Sequence, residues 1–160
     1  MPGVAWFFAP PASRVEWAAM LGATAASALF LIIGTVYWRA LARRLVRGDR
    51  HSLDLALALA DRAERPGLAL VALATVATGA AFALEGASRS AIAAALLTVL
   101  AALEYANYYH RQLQHFDNRA DLKRLLTGAG LKRAHMARDL AAFRQRRARS
   151  PGEHRAGARR

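Results

Sequence analysis

The chain has 160 residues, 55% of them hydrophobic, a formal net charge of +12 and no cysteine. That length allows one small domain, and so much apolar and basic character in one chain requires the two to be segregated along it. The lack of cysteine excludes disulfides, thiolate metal sites and a cysteine nucleophile.

The hydropathy pattern is segregated in this way. Trp17 to Trp38 is an uncharged apolar run of 22 residues, Pro66 to Leu84 is one of 19, and a third begins at Ala91. The reading is an all-α integral membrane protein with three transmembrane helices, over about 17–38, 66–84 and 90–110, within a bundle covering 14–111. Residues 1–13 form an interfacial cap, since Trp6, Phe7 and Phe8 precede the helix breakers Pro10 and Pro11. No basic region precedes Val4 to Ala9, which is too short for a signal-peptide core, so the first span is expected to stay in the mature protein.

Trp17, Tyr37 and Trp38 place an aromatic residue at each water boundary of the first span. Within that span Met20, Thr24, Ser27 and Gly34 fall near one face, and Ala18, Gly22 and Ala26 make a small-residue ladder. Small faces let helices approach closely.

The connection from Arg39 to Arg65 carries seven arginines and four acids. Its leucines at 53, 55, 57 and 59 alternate as a strand would. The intervening alanines and charges favour instead a short amphipathic helix on the membrane surface over 52–62. Pro66 then opens the second span at a first-turn position. Ala72, Thr75, Gly79 and Ala83 make its close-packing stripe, and the short Gly86-containing link predicts a tight hairpin to the third span. There Ala94, Thr98, Ala102 and Ala106 repeat at spacing four, so the three small faces are expected to meet.

Arginine and lysine counts set the orientation. The first connection holds seven and the tail from Arg111 fourteen, against one each, Arg14 and Arg89, on the other side. Positive segments stay inside, so the N-terminus is expected outside and the C-terminus in the cytoplasm. Residues 112–149 read as a basic helical tail. Asp117 and Asn118 cap one helix through Thr127, Gly128 and Gly130 end it, and a second runs from Leu131 to about Arg147. Met136, Leu140 and Phe143 share a face of that second helix. Lys132, Arg133, Arg138, Arg144, Arg146 and Arg147 are the expected contacts to anionic lipid headgroups. Residues 150–160 read as a disordered basic end. The glycine turn lacks the residue pattern of a groove-reading helix pair, and nucleic acid is not the expected partner.

The candidate functional cluster lies where the third span meets this tail. Glu104, Tyr108 and Arg111 fall on one face, with Asn107, His110 and His115 beside them. Glu104 either pairs with Arg39 or Arg43 and locks the bundle, or titrates as an intramembrane relay whose protons pass to His110 or His115. Five residues separate those histidines, so they point to different sides of a helix, and no metal site or other cofactor is expected. No serine, histidine and acid set, phosphate loop or HExxH supports an enzyme.

The run from Glu104 to Leu113, followed by Asp117, Asp121, Leu131 to Arg133, Asp139 and Leu140, resembles small bacterial multi-pass membrane proteins of uncharacterised function over about the last third of the chain. The resemblance implies a multi-pass inner-membrane protein whose inner-face polar segment matters. The expected function is an accessory or assembly protein that packs against a membrane partner or itself and contacts anionic lipid. The alternative is an oligomeric minimal transporter or channel using Glu104.

Overall fold

The computed structural model describes residues 9–111 and 133–157, with side chains as far as Arg149. The regular structure of the described residues is helical: α1 Arg14–Arg47, α2 Arg50–Glu85, α3 Arg89–Tyr109 and α4 His135–Gly157. The first three are long and apolar enough to cross a membrane.

Two of them are longer than a crossing needs. With 34 and 36 residues, α1 and α2 rise by roughly 50 Å, against about 30 Å of hydrocarbon. Past Trp38, α1 continues through alanine, leucine and arginine, all strong helix formers, until Gly48 adopts a left-handed φ of 71° and donates its N–H to the Arg44 carbonyl. Arg44 and Arg47 in the last turn complement the helix dipole. Asp49 then caps α2 by accepting the Ser52 N–H at 3.1 Å. The expected surface helix over 52–62 is therefore helical but is not a separate element, because it is the first part of α2. The correction extends to Pro66, which lies inside α2. Its missing N–H leaves the Arg62 carbonyl without an intrahelical donor, a loss made tolerable by the exposure of both residues.

At the opposite end Gly86 stops α2 and Ser88 caps α3, accepting the Ala91 N–H at 3.1 Å, in the expected tight hairpin. Nearby, Ser13 caps α1 by accepting the Glu16 N–H, and Glu16 accepts from the Ala12 N–H at 2.7 Å. The Ser88 hydroxyl donates to the same carboxylate. Glu16 is only 4% exposed, so this capping box also ties the start of α1 to the start of α3.

Packing divides along the bundle. Near Gly86 the core is Ala19, Ala23, Ala81, Ala91 and Ala94, which brings the helix axes close. Gly22 sits against Ala74, a Cβ there falling 3.5 Å from the Ala74 Cα. The Ser27 hydroxyl donates to the Leu97 carbonyl at 2.9 Å, and the Thr78 and Thr98 hydroxyls share a hydrogen bond at 3.2 Å. Toward Gly48 the core changes to large side chains, with Phe30, Ile33, Tyr37, Leu53, Leu57, Met136 and Leu140 in one cluster. A Cβ on Gly67 would lie 2.9 Å from the Phe30 ring, so that glycine makes room for it. With 21 residues, α3 is too short to accompany α1 and α2 to Gly48, and α4 covers the rest of their shared face.

Several expected placements change. Ala26, Ala94 and Thr98 are buried in the bundle, and Gly22 and Ala102 are half-buried. Thr75, Gly79 and Ala83 are exposed on the outside of α2, with nothing within 4 Å of a Cβ built on Gly79. The inward stripe of α2 is instead Gly67, Val71, Ala74, Thr78 and Ala81. Both stripes are small and helically spaced, and the inward one also aligns with Gly22 and Phe30. Tyr37 is 1% exposed rather than a boundary aromatic, whereas Trp17 and Trp38 are 48% and 52% exposed. Met136 and Leu140 are buried on one face of α4, as expected, and Phe143 packs beside them. The helix runs on to Gly157, so the end expected to be disordered is helical as far as that residue. A helix pairs its own backbone groups without burying a core, so a polar, basic composition does not by itself prevent one. The expected helix up to Thr127, with its Gly128 and Gly130 stop, and the aromatics Trp6 to Phe8 lie outside the described residues.

Candidate functional site

The last two turns of α3 point three tyrosines and one carboxylate toward different neighbours. Tyr108 faces α1, where a Cβ on Gly34 would fall 2.6 Å from the Tyr108 Cζ and closer still to its hydroxyl. Only glycine accommodates that ring. Its hydroxyl lies near the Glu104 carboxylate, one turn back on the same helix. Tyr109 faces α2 and donates its hydroxyl to the Ala60 carbonyl at 2.8 Å, within the buried core. Tyr105 completes an aromatic group, its ring centroid 5.8 Å from Phe30, 5.1 Å from Tyr109 and 5.3 Å from His110.

Glu104 is half-buried. It pairs with neither Arg39 nor Arg43, which lie in a groove with α2 residues, and its neighbour is Tyr108. The expected lock to Arg39 or Arg43 is thus absent from this carboxylate, and the group beside it is a tyrosine of the same helix. Arg111 does not continue the face of Glu104 and Tyr108, because α3 ends at His110, where φ is −127° and ψ is −75°. The Arg111 N–H turns back to the Ala106 carbonyl at 2.9 Å, and its backbone pairs with Arg133. His110 and Arg111 are exposed, and Asn107 is half-buried. His115 lies outside the described residues. Among the described residues no group of three histidine, aspartate or glutamate side chains could hold a metal ion.

Further polar contacts that join elements lie on α4. Tyr37 donates its hydroxyl to Asp139 at 2.8 Å from inside the core. Arg144 bridges two acids of α2, reaching Asp61 at 2.6 Å and also Glu64, and Arg146 reaches Asp54 at 2.8 Å. The hydrogen bond to Glu64 raises the guanidinium pKa of Arg144 above its ordinary value. Arg144 and Arg146 were expected to meet lipid headgroups, but they pair with α2 because Asp54, Asp61 and Glu64 face the docked helix. Arg133, Arg138 and Arg147 are exposed, with Arg138 also 3.0 Å from a ring nitrogen of His135. Lys132 lies outside the described residues.

Sequence reasoning singled out neither Glu16 nor the pair of Tyr37 and Asp139. For Glu16 a signal existed, since Ser13 followed three residues later by Glu16 before an apolar run is a capping box. For Tyr37 it lay in the spacing Phe30, Ile33, Tyr37, Ala40, a buried stripe that passes through the apparent membrane boundary. Nothing local in the sequence joins Tyr37 to Asp139. Compared with protein families, characterised proteins and solved structures, the chain matches none.

Proposed function

We propose that the chain is a small accessory or assembly protein of a bacterial inner membrane, with its N-terminus outside and C-terminus in the cytoplasm. It packs against a membrane partner or a second copy, contacts anionic lipid with its basic cytoplasmic segments, and carries out no reaction of its own. The observation that carries this reading is the outer face of α2. Thr75, Gly79 and Ala83 are exposed there while a different stripe makes the internal contacts. A row of small residues on the outside of a span lets a further helix come close, and close van der Waals approach is what associates helices in lipid. The orientation rests on the arginine and lysine asymmetry.

Purification of the tagged chain from its own membranes in mild detergent tests this. A stoichiometric membrane partner or a defined oligomer is expected, lost when Gly79 and Ala83 are replaced by isoleucine. A solitary monomer overturns the reading. The alternative, an oligomeric transporter or channel, draws support from Glu104, a half-buried carboxylate that makes no ion pair among the described residues. Abolition of ion or proton flux by Glu104→Gln, in vesicles holding only this protein, would establish that alternative in place of the accessory role.

A further inference from the structure

The part of the α1–α2 hairpin beyond Trp38 has two sides with opposite fates. On one, Tyr37, Leu53 and Leu57 are buried beneath α4. On the other, Val36, Arg39 and Arg43 of α1 face Leu55 and Leu59 of α2 across an open groove of about 400 Å³. Leu55 and Leu59 are 59% and 44% exposed, although the surrounding segment is strongly charged.

The acids of this part of the hairpin are all engaged by other groups. Asp54 meets Arg146, Asp61 and Glu64 meet Arg144, and Asp49 caps α2 while accepting the Ser52 hydroxyl. Ser52 also lines the groove, but its hydroxyl proton is already committed. Arg39 and Arg43 stay exposed and make no ion pair among the described residues. They stand one helical turn apart, on the face that continues upward through Val36 and exposed Ile32 into the apolar run of α1. Exposed Trp38 immediately precedes them, which sets the two guanidiniums at headgroup depth and the apolar residues on the acyl side. A guanidinium fork matches phosphate oxygens, and basic clefts between spans suit anionic headgroups.

From this geometry we infer, resting on the membrane reading above, that the α1–α2 groove binds an anionic phospholipid. Arg39 and Arg43 hold its phosphodiester, and Val36, Leu55 and Leu59 cover the start of its acyl chains. The site is separate from the exposed arginines of α4.

Native mass spectrometry of the full chain in mild detergent, with phosphatidylglycerol or phosphatidylcholine added at equal concentration, tests the inference. Wild-type protein is expected to retain phosphatidylglycerol preferentially. The double variant Arg39→Gln with Arg43→Gln, checked for an unchanged melting temperature, should lose that retention by about tenfold, whereas Arg138→Gln with Arg147→Gln, which removes only the diffuse attraction of α4, should lower it by less. Equal retention by the groove variant and wild type overturns the site, as does loss confined to the α4 variant. Leu55→Ser with Leu59→Ser should also weaken retention. If it instead converts a dimer to a monomer and leaves lipid retention unchanged, a second copy occupies the groove and the inference fails. The same preparation without added lipid reports any co-purifying partner, so failure of the lipid site and failure of the accessory role are read separately. A chain released from membranes without detergent fails the membrane reading before any lipid is added.

Discussion

The two ends of the bundle hold together by different means. Near Gly86 the core is five alanines, with Gly22 against Ala74 and serine and threonine hydrogen bonds between helices. Toward Gly48 it is Phe30, Tyr37, Leu57, Met136 and Leu140, closed by a fourth helix and by ion pairs at its edge. The difference follows the surroundings that hydropathy assigns to each end. In lipid, large apolar side chains gain nothing by leaving the solvent, so close backbone approach and polar contacts associate the helices. In water, burying large apolar side chains is itself the driving force.

If that contrast is right, truncation has its greatest effect at the Gly48 end. Leu57→Ala should destabilise by roughly 2–5 kcal/mol and free α4 to limited proteolysis, through lost burial and the cavity left behind. Unchanged protection of α4 in that variant would break the comparison. Tyr37→Phe should lower stability by roughly 1.5–3 kcal/mol, since it removes a hydrogen bond to a carboxylate, and the double variant with Asp139→Asn should show less than the sum of the two single effects. Gly34→Ala, near where the two regimes meet, should cost roughly 1–3 kcal/mol by overpacking against Tyr108. Replacing Tyr108 by alanine in the same chain should recover part of that loss, whereas Gly79→Ala, in open space, should be near neutral in the isolated protein. Unfolding in mixed detergent micelles measures each of these.

Smaller effects sharpen the edge of the comparison. Arg144→Gln should cost about 0.2–1 kcal/mol per lost pair, because the arginine is 46% exposed, and the loss should shrink with added salt. At the Gly48 turn, hydrogen bonds from the Ser52 hydroxyl and then its amide hold the Asp49 carboxyl below its usual range. A depressed folded-state pKa gives stability that is present above the unfolded value, about 4, and is lost as pH falls toward the lower folded one. The acid limb of the melting curve should therefore flatten in Asp49→Asn relative to wild type.

Three helices long and apolar enough to cross a membrane, the tight Gly86 hairpin, and a tail helix with Met136 and Leu140 on one face all follow from hydropathy and periodicity in the chain itself. Those signals are local, and a long uncharged run or a repeat of 3.6 needs no partner to be recognised. Which of two small stripes on α2 turns inward did not follow, because Thr75 and Gly79 are as suitable for close packing as Ala74 and Thr78. The choice came from shape at distant positions, the Phe30 ring over Gly67 and Gly22 against Ala74. The candidate cluster divided for the same reason. Helical spacing aligned Glu104 with Arg111, but α3 stopped at His110, and Glu104 stayed with Tyr108. Arg144 and Arg146 of α4 read as lipid contacts until docking brought Asp54, Asp61 and Glu64 within reach. Charge counts place cations near a membrane, but whether a given guanidinium meets a headgroup or a carboxylate depends on which helix faces lie together, and that is settled by the packing of side chains far apart in the chain.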